Sequence, residues 1–389
     1  MLKRASLKMG LSIIVVIVLV LSLISCSQNV QVSKENEIID EHVSNGINGE
    51  NDGNDGHMSS NNDELSSSNG EDNRAMEENF QEDEGMLDYD LIKPNEAGQI
   101  MILMYHDIGD IEGEWVRTPE NFRKDLETLY NKGYRLISMK DYLNNNINVE
   151  AGYTPVILTF DDGTRGQFNV IEEKGELKLD PDCAVAILEE FNRQHPDFGM
   201  ASTFYVYYPV PFRQENLIQF KFEYLIQRGM DIGNHGYNHE NLSSLDAKEI
   251  QRALALNVKS TQQYLPGYGV DSLALPYGAQ PKDERAAYIE KGEYDGTVYH
   301  NKGVLLVGSN PAPSPVHEKF NPNRLPRIRA SQMNTEGVGM YDWLEYFDNN
   351  PDKRYISDGN SNTVTIPEDM EEYVKKEALD HRQLVIYKR

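Results

Sequence analysis

Short apolar runs alternate with amphipathic stretches from residue 98 onward. The runs at residues 99–106 and 156–160 are nearly continuous, which is typical of strands buried on both faces. In the amphipathic stretches, apolar residues recur every three to four positions, which predicts helices. The first helix has a capping hydroxyl at Thr118, a proline at residue 119 and a stop at Gly133. Further strands are predicted at residues 134–138, 201–207, 230–232 and 273–275, and further helices at 181–194, 216–227 and 244–265.

This alternation predicts an α/β fold with a parallel sheet, in which functional groups collect at the carboxyl ends of the strands. Seven or eight such units favour a barrel over an open sheet. We expect the folded domain to span residues 98–389. Its last part, with a helix near 341–347 and a strand at 383–387, would complete the barrel or cover one end. Trp343 and Tyr346 would serve there as core residues or as a platform for a sugar.

The first 26 residues have the pattern of an export signal. Three basic residues precede an apolar run over residues 11–24, which is shorter than the roughly 18–20 residues that span a bilayer. The run ends at Cys26 in a segment that resembles the cleavage box of bacterial lipoproteins, whose cysteine carries the lipid. This implies an extracytoplasmic protein anchored to the outer face of the cell membrane through Cys26. An uncleaved signal anchor is the alternative.

Composition locates most of the charge outside the predicted domain. The chain has 389 residues, a formal charge of −26 and 39% hydrophobic residues. Residues 27–90 contain 18 acidic and two basic residues, too polar a mixture to fold, so we expect residues 27–97 to be a disordered linker. The acidic balance argues against nucleic acid as a ligand, and no sequence feature indicates a protein partner. The second cysteine, Cys183, lies among apolar neighbours and is expected to be buried.

Two carboxylates, Asp161 and Asp162, follow the strand at residues 156–160 and precede Gly163. Adjacent side chains on a regular strand point to opposite faces, but a glycine turn allows both carboxylates to face one cavity. An ordinary Asp-Gly turn is the alternative.

A histidine pair, His235 and His239, follows the strand at 230–232. A helical turn would bring histidines at i and i+4 to one metal ion, whereas a surface pair is the alternative. One aspartate and two histidines form a set suited to Zn²⁺, Co²⁺, Ni²⁺ or Fe²⁺.

Three motifs resemble, in order and spacing, those of the NodB-homology polysaccharide deacetylases, carbohydrate esterase family 4. They are TFDDG at residues 159–163, the histidine pair, and LPYG at 275–278. The YH end of the first strand and RLPRI at 324–328 are similar to the poly-N-acetylglucosamine deacetylase branch. The resemblance covers residues 98–330 and implies a distorted (β/α) barrel of seven or eight strands. It also implies a metal-dependent hydrolase that removes N-acetyl groups from a GlcNAc-containing polysaccharide.

The resemblance also implies roles for individual residues. Asp161 would be the general base, while Asp162, His235 and His239 would bind the metal, with Zn²⁺ as the expected ion. The backbone N–H of Tyr277 would donate to the oxyanion, in a substrate-binding site shaped by Pro276.

Two departures from the family pattern concern support of the site. Gly236 stands where the family has Ser or Thr, so a hydrogen bond that steadies the histidine loop is expected to be missing. Ala274 stands where an arginine orients the base. Arg327 or Arg329 would replace that arginine from a neighbouring strand, and Arg327 is also predicted to contact substrate.

A third departure concerns the general acid, because no histidine motif follows Ile328. His106, at the end of the first strand, is the substitute that we predict, ahead of His300 and His317. A surface glycan-binding protein that has lost turnover is therefore an alternative function, and an O-acetyl esterase would need the same apparatus. The long stretch at 164–199 is predicted to form a flap over the substrate.

Overall fold

The structure is a computed structural model that describes residues 88–389. The predicted signal peptide, Cys26 and most of the predicted linker lie outside the described residues. The strands of the described chain are β1 (Gln99–Tyr105), β2 (Asp107–Ile108), β3 (Val116–Arg117), β4 (Tyr134–Leu136), β5 (Thr154–Asp161), β6 (Val170–Glu173), β7 (Glu176–Leu179), β8 (Ser202–Val206), β9 (Asp231–Asn234), β10 (Ser272–Ala274), β11 (Lys291–Tyr294), β12 (Thr297–His300), β13 (Gly303–Leu305), β14 (Ala312–Pro313), β15 (Ile328–Arg329), β16 (Thr363–Pro367) and β17 (Gln383–Tyr387). The α-helices of the same range are α1 (Tyr89–Ile92), α2 (Pro119–Asn131), α3 (Met139–Leu143), α4 (Ala184–Gln194), α5 (Ile218–Gln227), α6 (Ala247–Tyr264), α7 (Ala287–Glu290) and α8 (Met340–Asn349).

The largest sheet of the described chain has nine strands. Its main path is β13, β10, β9, β8, β5, β1 and β14, with β4 paired to β5 and β15 paired to β1. All of these pairings are parallel except that of β1 with β14. A parallel bridge between Leu305 and Leu325 connects β13 to the chain that leads into β15. The sheet therefore curls into an incomplete barrel, which confirms the predicted distorted α/β barrel.

The alternation of side chains along the parallel strands divides the core into two layers. Met101 and Leu103 of β1 and Phe160 of β5 pack in the cluster that contains buried residues of α2, α4 and α5. Ile102 of β1 and Ile157 of β5 pack in a second cluster with residues of β8, β10 and β13, in the interior of the barrel. Because the period is two, the side chains at positions 159 and 161 share the inner face with position 157.

Capping and stop residues in the sequence determine where the predicted helices begin and end. Thr118 caps α2 by accepting a hydrogen bond from the Asn121 N–H at 3.2 Å, and Pro119 occupies the first turn. The chain leaves the helix at Gly133, which has a φ of +78°. All the other strands and helices predicted from the apolar pattern are present, with ends that differ by a few residues.

Segments at the two ends of the predicted domain pack together outside the main sheet. The domain begins before residue 98, because Glu96 and Ala97 are buried and the Asn95 N–H donates to the Ile356 carbonyl at 2.9 Å. At the other end, β17 pairs with β16 in a separate two-stranded sheet rather than completing the barrel. These two chain segments meet in one apolar cluster that holds Ala97 together with Val364 and Ile366 of β16.

Other sequence predictions are settled by burial. Cys183 is buried, as predicted, and has a free thiol. Trp343 packs against the core, and its indole N–H donates to the Ser309 carbonyl at 2.7 Å, so it is a structural residue.

The stretch 164–199 forms an exposed hairpin of β6 and β7 followed by α4, which contacts α2. Within residues 88–389, no helix combines the length and apolar character needed to cross a membrane.

Candidate active site

The two aspartates after β5 face the same cavity because the strand ends between them. Asp161 is the last residue of β5, and Asp162 has a φ of +78°. This left-handed conformation turns the Asp162 side chain toward the histidine pair. Its Oδ1 atom lies 3.3 Å from Nε2 of His235 and 3.3 Å from Nε2 of His239. Burial of Asp162 opposes ionisation, but His235 in its protonated form outweighs that effect and lowers the pKa of Asp162.

The histidine pair converges through a loop rather than through the predicted helical turn. Gly236 and His239 have φ values of +70° and +56°, and the segment is irregular after β9. Two asparagines that sequence reasoning missed steady this loop. The Asn234 amide oxygen accepts from the Gly236 N–H at 2.9 Å, and the Asn257 amide donates to the Gly236 carbonyl at 2.7 Å. The support expected to be lost with Gly236 is thus supplied from β9 and α6.

The donor set fits a divalent transition metal. One ligand atom each from Asp162, His235 and His239 lies within 4.8 Å of the others. The Nδ1 atom of buried His235 lies 2.7 Å from the Ala274 carbonyl, which assigns the proton to Nδ1 and leaves Nε2 free to bind a cation. Burial and the neighbouring His235 lower the pKa of His239 to about 4, so its imidazole is neutral, as a ligand must be.

Arg327 takes the place of the arginine missing at position 274. Its guanidinium donates to both carboxylate oxygens of Asp161 at 2.7 Å and to Thr159 Oγ1 at 3.1 Å. Burial would raise the pKa of Asp161, but the charge and hydrogen bonds of Arg327 hold that pKa well below its usual range. The Arg327 side chain is completely buried, and its contact with substrate stays a prediction. Arg329 pairs with Glu114 instead, at 2.5 Å.

His106 is the predicted general acid that reaches the site. It lines the same cavity as Asp161 and Asp162, and burial lowers its pKa. The backbone of His106 is tied to that of Asp161 by Gln167, whose buried amide nitrogen donates to both carbonyl oxygens. Sequence reasoning missed Gln167, because nothing in its local pattern marks it.

The other two candidate histidines lie away from the site. His300 is exposed on β12 and pairs with β11, and the ring of His317 stacks on Tyr373. Neither lines the cavity that contains the aspartates.

The cavity lined by Asp162, His235 and His239 has a volume of about 460 Å³. Pro276 is buried below it, and Tyr277 has a φ of +59°. The Tyr277 ring lies 4.5 Å from the His239 ring and is 68% exposed, so it forms one wall of the opening. None of the lining residues comes from 164–199, so in the described chain the predicted flap does not contribute to this site. The lining residues are His106, Trp115, Asp161, Asp162, His235, His239, Leu275, Tyr277 and Val307.

Residues 148–294 match the family model described as polysaccharide deacetylase. This segment contains β5 with both aspartates, the histidine loop and Tyr277. The match shows that this segment, less than half of the chain, is similar in sequence to that family.

Several solved structures are similar to this chain at low sequence identity. The Streptococcus pyogenes deacetylase PplD, solved in complex with acetate, is 20% identical, with 64% of this chain and 97% of that chain covered and a TM-score of 0.46. IcaB from Ammonifex degensii is 16% identical, with 63% and 97% covered and a TM-score of 0.44. A Bacillus anthracis protein described as a CE4 family pseudoenzyme is 16% identical, with 52% and 63% covered and a TM-score of 0.26. No curated protein sequence gives a significant match to this chain.

Proposed function

We propose that this chain is a metal-dependent hydrolase that removes N-acetyl groups from an extracellular polysaccharide containing N-acetylglucosamine. The observation that carries this proposal is the convergence of three metal-binding side chains with a separately held carboxylate, Asp161, in one cavity. A site that served only to hold a metal would not need a second buried carboxylate paired to its own arginine. That extra carboxylate is the group that hydrolysis of an amide requires as a base.

Asp162, His235 and His239 would hold the metal, with Zn²⁺ as the expected ion. When bound, a divalent cation with open positions lowers the pKa of water and polarises a carbonyl oxygen. Asp161 stays ionised because of Arg327, and its remaining lone pairs accept the proton of the attacking water.

Residues around the cavity would stabilise the oxyanion and protonate the leaving amine. The backbone N–H of Tyr277 donates to the oxyanion that forms when water attacks the acetamide carbonyl. His106 delivers a proton to the leaving amine. The products are acetate and a free amine on the sugar.

Location and substrate belong to the same proposal. The export signal and lipid attachment at Cys26, both outside the described residues, would hold the domain at the outer face of the membrane. An acidic protein disfavours polyanionic ligands, whereas a neutral acetylated glycan that becomes cationic on deacetylation is compatible with its charge.

The direct test is acetate release from N-acetylglucosamine oligomers by the zinc-loaded protein. We expect turnover that is abolished by a chelator, restored by added Zn²⁺ and lost in Asp161→Asn. Asp295→Asn, a matched change on the exposed β11–β12 hairpin, should keep full activity.

Two outcomes would contradict the proposed deacetylase function and favour one of the two alternative functions. Saturable oligosaccharide binding by zinc-loaded protein without acetate release would indicate a glycan-binding protein. Turnover of O-acetylated but not N-acetylated sugars would indicate an esterase.

A further inference from the structure

Lys221 lies on the core-facing side of α5, at a position where helices usually carry an apolar residue. The other buried residues of that helix are Ile218, Phe222 and Leu225, and the Lys221 side chain is as fully buried as they are. Burial lowers the pKa of its amine from the ordinary 10.5 to about 7, because the protonated form loses its contact with water. An apolar side chain of similar size would avoid this cost. The lysine therefore points to a task that requires a hydrogen-bond donor.

The amine of Lys221 donates to three oxygen atoms from two segments of the chain. Its Nζ atom lies 2.6 Å from the Phe168 carbonyl, 3.2 Å from the Phe212 carbonyl and 2.6 Å from Oε1 of Gln214. Three is the number of hydrogen bonds that a protonated lysine can donate. The rings of Phe168 and Phe212 lie 5.3 and 5.6 Å from the same nitrogen, which also favours the cation.

The segment that contains Phe212 leads to the metal-binding residue Asp162. The Phe212 N–H donates at 2.7 Å to the carbonyl of Gly163, the residue that follows Asp162. Phe212 has a φ of +58°, a left-handed conformation that is unfavourable for a residue with a Cβ atom. In this conformation its N–H holds Gly163 and its carbonyl accepts from Lys221. Loss of the lysine would remove a donor from the backbone of a strained residue.

The segment that contains Phe168 supports the other aspartate. Phe168 directly follows Gln167, whose side-chain amide nitrogen donates to the carbonyl oxygens of Asp161 and His106. Gln167 is completely buried. Because Lys221 holds the Phe168 carbonyl, it also holds the backbone from which the Gln167 side chain reaches the site.

Gln214 joins the two segments to each other. Its side chain accepts from the Val170 N–H at 3.0 Å and donates to the Val170 carbonyl at 2.8 Å, and its oxygen also accepts from Lys221. Lys221 therefore lies where the backbone supports of Asp161 and Asp162 meet.

We infer that Lys221 is a positioning residue for the active site: through the backbone of these two segments it orients Asp161 and Asp162, and thereby sets metal affinity and turnover. The turnover part rests on the proposed function, whereas the placement of Asp162 is measurable from metal binding alone. A lysine with only a structural role would contribute to folding and leave the folded site unchanged.

Lys221→Met is the first test, because methionine keeps an unbranched side chain of similar length and removes the donor. The Kd for Zn²⁺, measured by competition with a chelating dye, should rise roughly tenfold or more. At saturating zinc, kcat for acetate release from N-acetylglucosamine oligomers should fall roughly 10- to 100-fold, while KM changes by less than about twofold. An unchanged zinc Kd together with an unchanged kcat would overturn the inference.

Asn301→Leu is the matched control for a general loss of stability. The Asn301 side chain is also completely buried and donates to a backbone carbonyl, that of Ile289, at 2.7 Å. It precedes β13, at the opposite end of that strand from the catalytic cavity. Both variants should unfold at lower urea concentration than the unmodified protein, but only Lys221→Met should change the zinc Kd and kcat. Equal changes in both variants would assign the effect to lost stability and reject positioning.

Gln214→Ala keeps the inference testable if Lys221→Met does not fold. It removes one of the three acceptors at a partly exposed position, and should raise the zinc Kd roughly threefold or more. The visible absorption of the cobalt-loaded protein, which reports the geometry of the ligands, should shift as well. Gln219→Ala, at an exposed position of α5, should alter neither quantity. The same Kd and the same spectrum in both variants would overturn the inference.

Zinc binding separates the positioning role from the proposed function. Tighter zinc binding by the unmodified protein than by Lys221→Met, without acetate release from either, would reject the deacetylase function and retain the positioning of Asp162. Acetate release with equal kcat and equal zinc Kd in the two proteins would retain the deacetylase function and reject the positioning role.

Discussion

Arg327 donates two hydrogen bonds of 2.7 Å to the carboxylate of Asp161, and both side chains are buried. The two residues are brought together by the sheet: Asp161 ends β5, Arg327 directly precedes β15, and both strands pair with β1. Such a bidentate, charge-assisted pair fixes the orientation of a carboxylate as well as its ionisation. The pair therefore holds Asp161 ionised and in one orientation, as its proposed role as a base requires.

Removing this arginine should damage both stability and activity. Arg327→Met leaves the Asp161 charge buried without a partner, so we expect the free energy of unfolding to fall by about 3–5 kcal/mol. Arg327→Lys keeps the charge but loses the paired geometry, and should lower acetate release by roughly 10- to 100-fold. Urea unfolding and acetate assays measure the two effects. Arg329→Lys, at the partly exposed pair with Glu114, is the control, and equal losses in both lysine variants would contradict a special role for Arg327.

Metal binding should depend on His235. His235→Ala removes a ligand atom and its anchor to the Ala274 carbonyl, so the purified variant should retain little zinc after dialysis. Elemental analysis measures the zinc content. His381→Ala, at an exposed position, should bind as much zinc as the unmodified protein. Stoichiometric zinc in His235→Ala would show that these three residues are not the binding site.

His106 should affect turnover without affecting the metal. Because it lines the cavity and is not a member of the metal-binding triad, His106→Gln should lower kcat roughly 100-fold or more while the zinc content stays the same. His317→Gln, packed on Tyr373 instead, should retain full activity. Unchanged kcat in His106→Gln would assign proton delivery to another group or to water.

Stability should fall as the pH rises because of Glu96. Burial and the nearby Asp358 carboxylate raise the pKa of Glu96 from its ordinary 4.5 to about 8. The folded protein thus keeps a proton that the unfolded chain loses. The associated stability is complete below about pH 4.5 and is lost as the pH approaches about 8.

Urea unfolding at several pH values across this range measures the effect. Glu96→Gln should show a smaller decrease in unfolding free energy than the unmodified protein, whereas Glu293→Gln on exposed β11 should show the same decrease. An unchanged slope in Glu96→Gln would mean that another group binds the proton.

Local patterns in the sequence predicted the strands, the helices and the principal site residues. Burial on both faces of a parallel strand requires a continuous apolar run, so these strands can be predicted from the sequence without knowing which strands lie beside them. The aspartates and histidines directly follow such runs, and they therefore lie at the carboxyl ends of the strands. Sequence position left an Asp-Gly turn and a surface histidine pair open as alternatives, and the family resemblance implied convergence, which the structure shows for Asp162, His235 and His239.

Contacts between distant segments were decided only by tertiary structure. Arg327 and Arg329 are two residues apart and would share one face of a regular strand, so the one that reaches Asp161 is set by the register of this segment against β1, which its short strand does not reveal. Gln167, Asn257 and Trp115 support or enclose the site, yet each lies in a segment whose local pattern is ordinary. The residues proposed to perform chemistry follow strands in recognisable motifs, whereas those that hold them in place act through hydrogen bonds and packing that exist only once the sheet has curled.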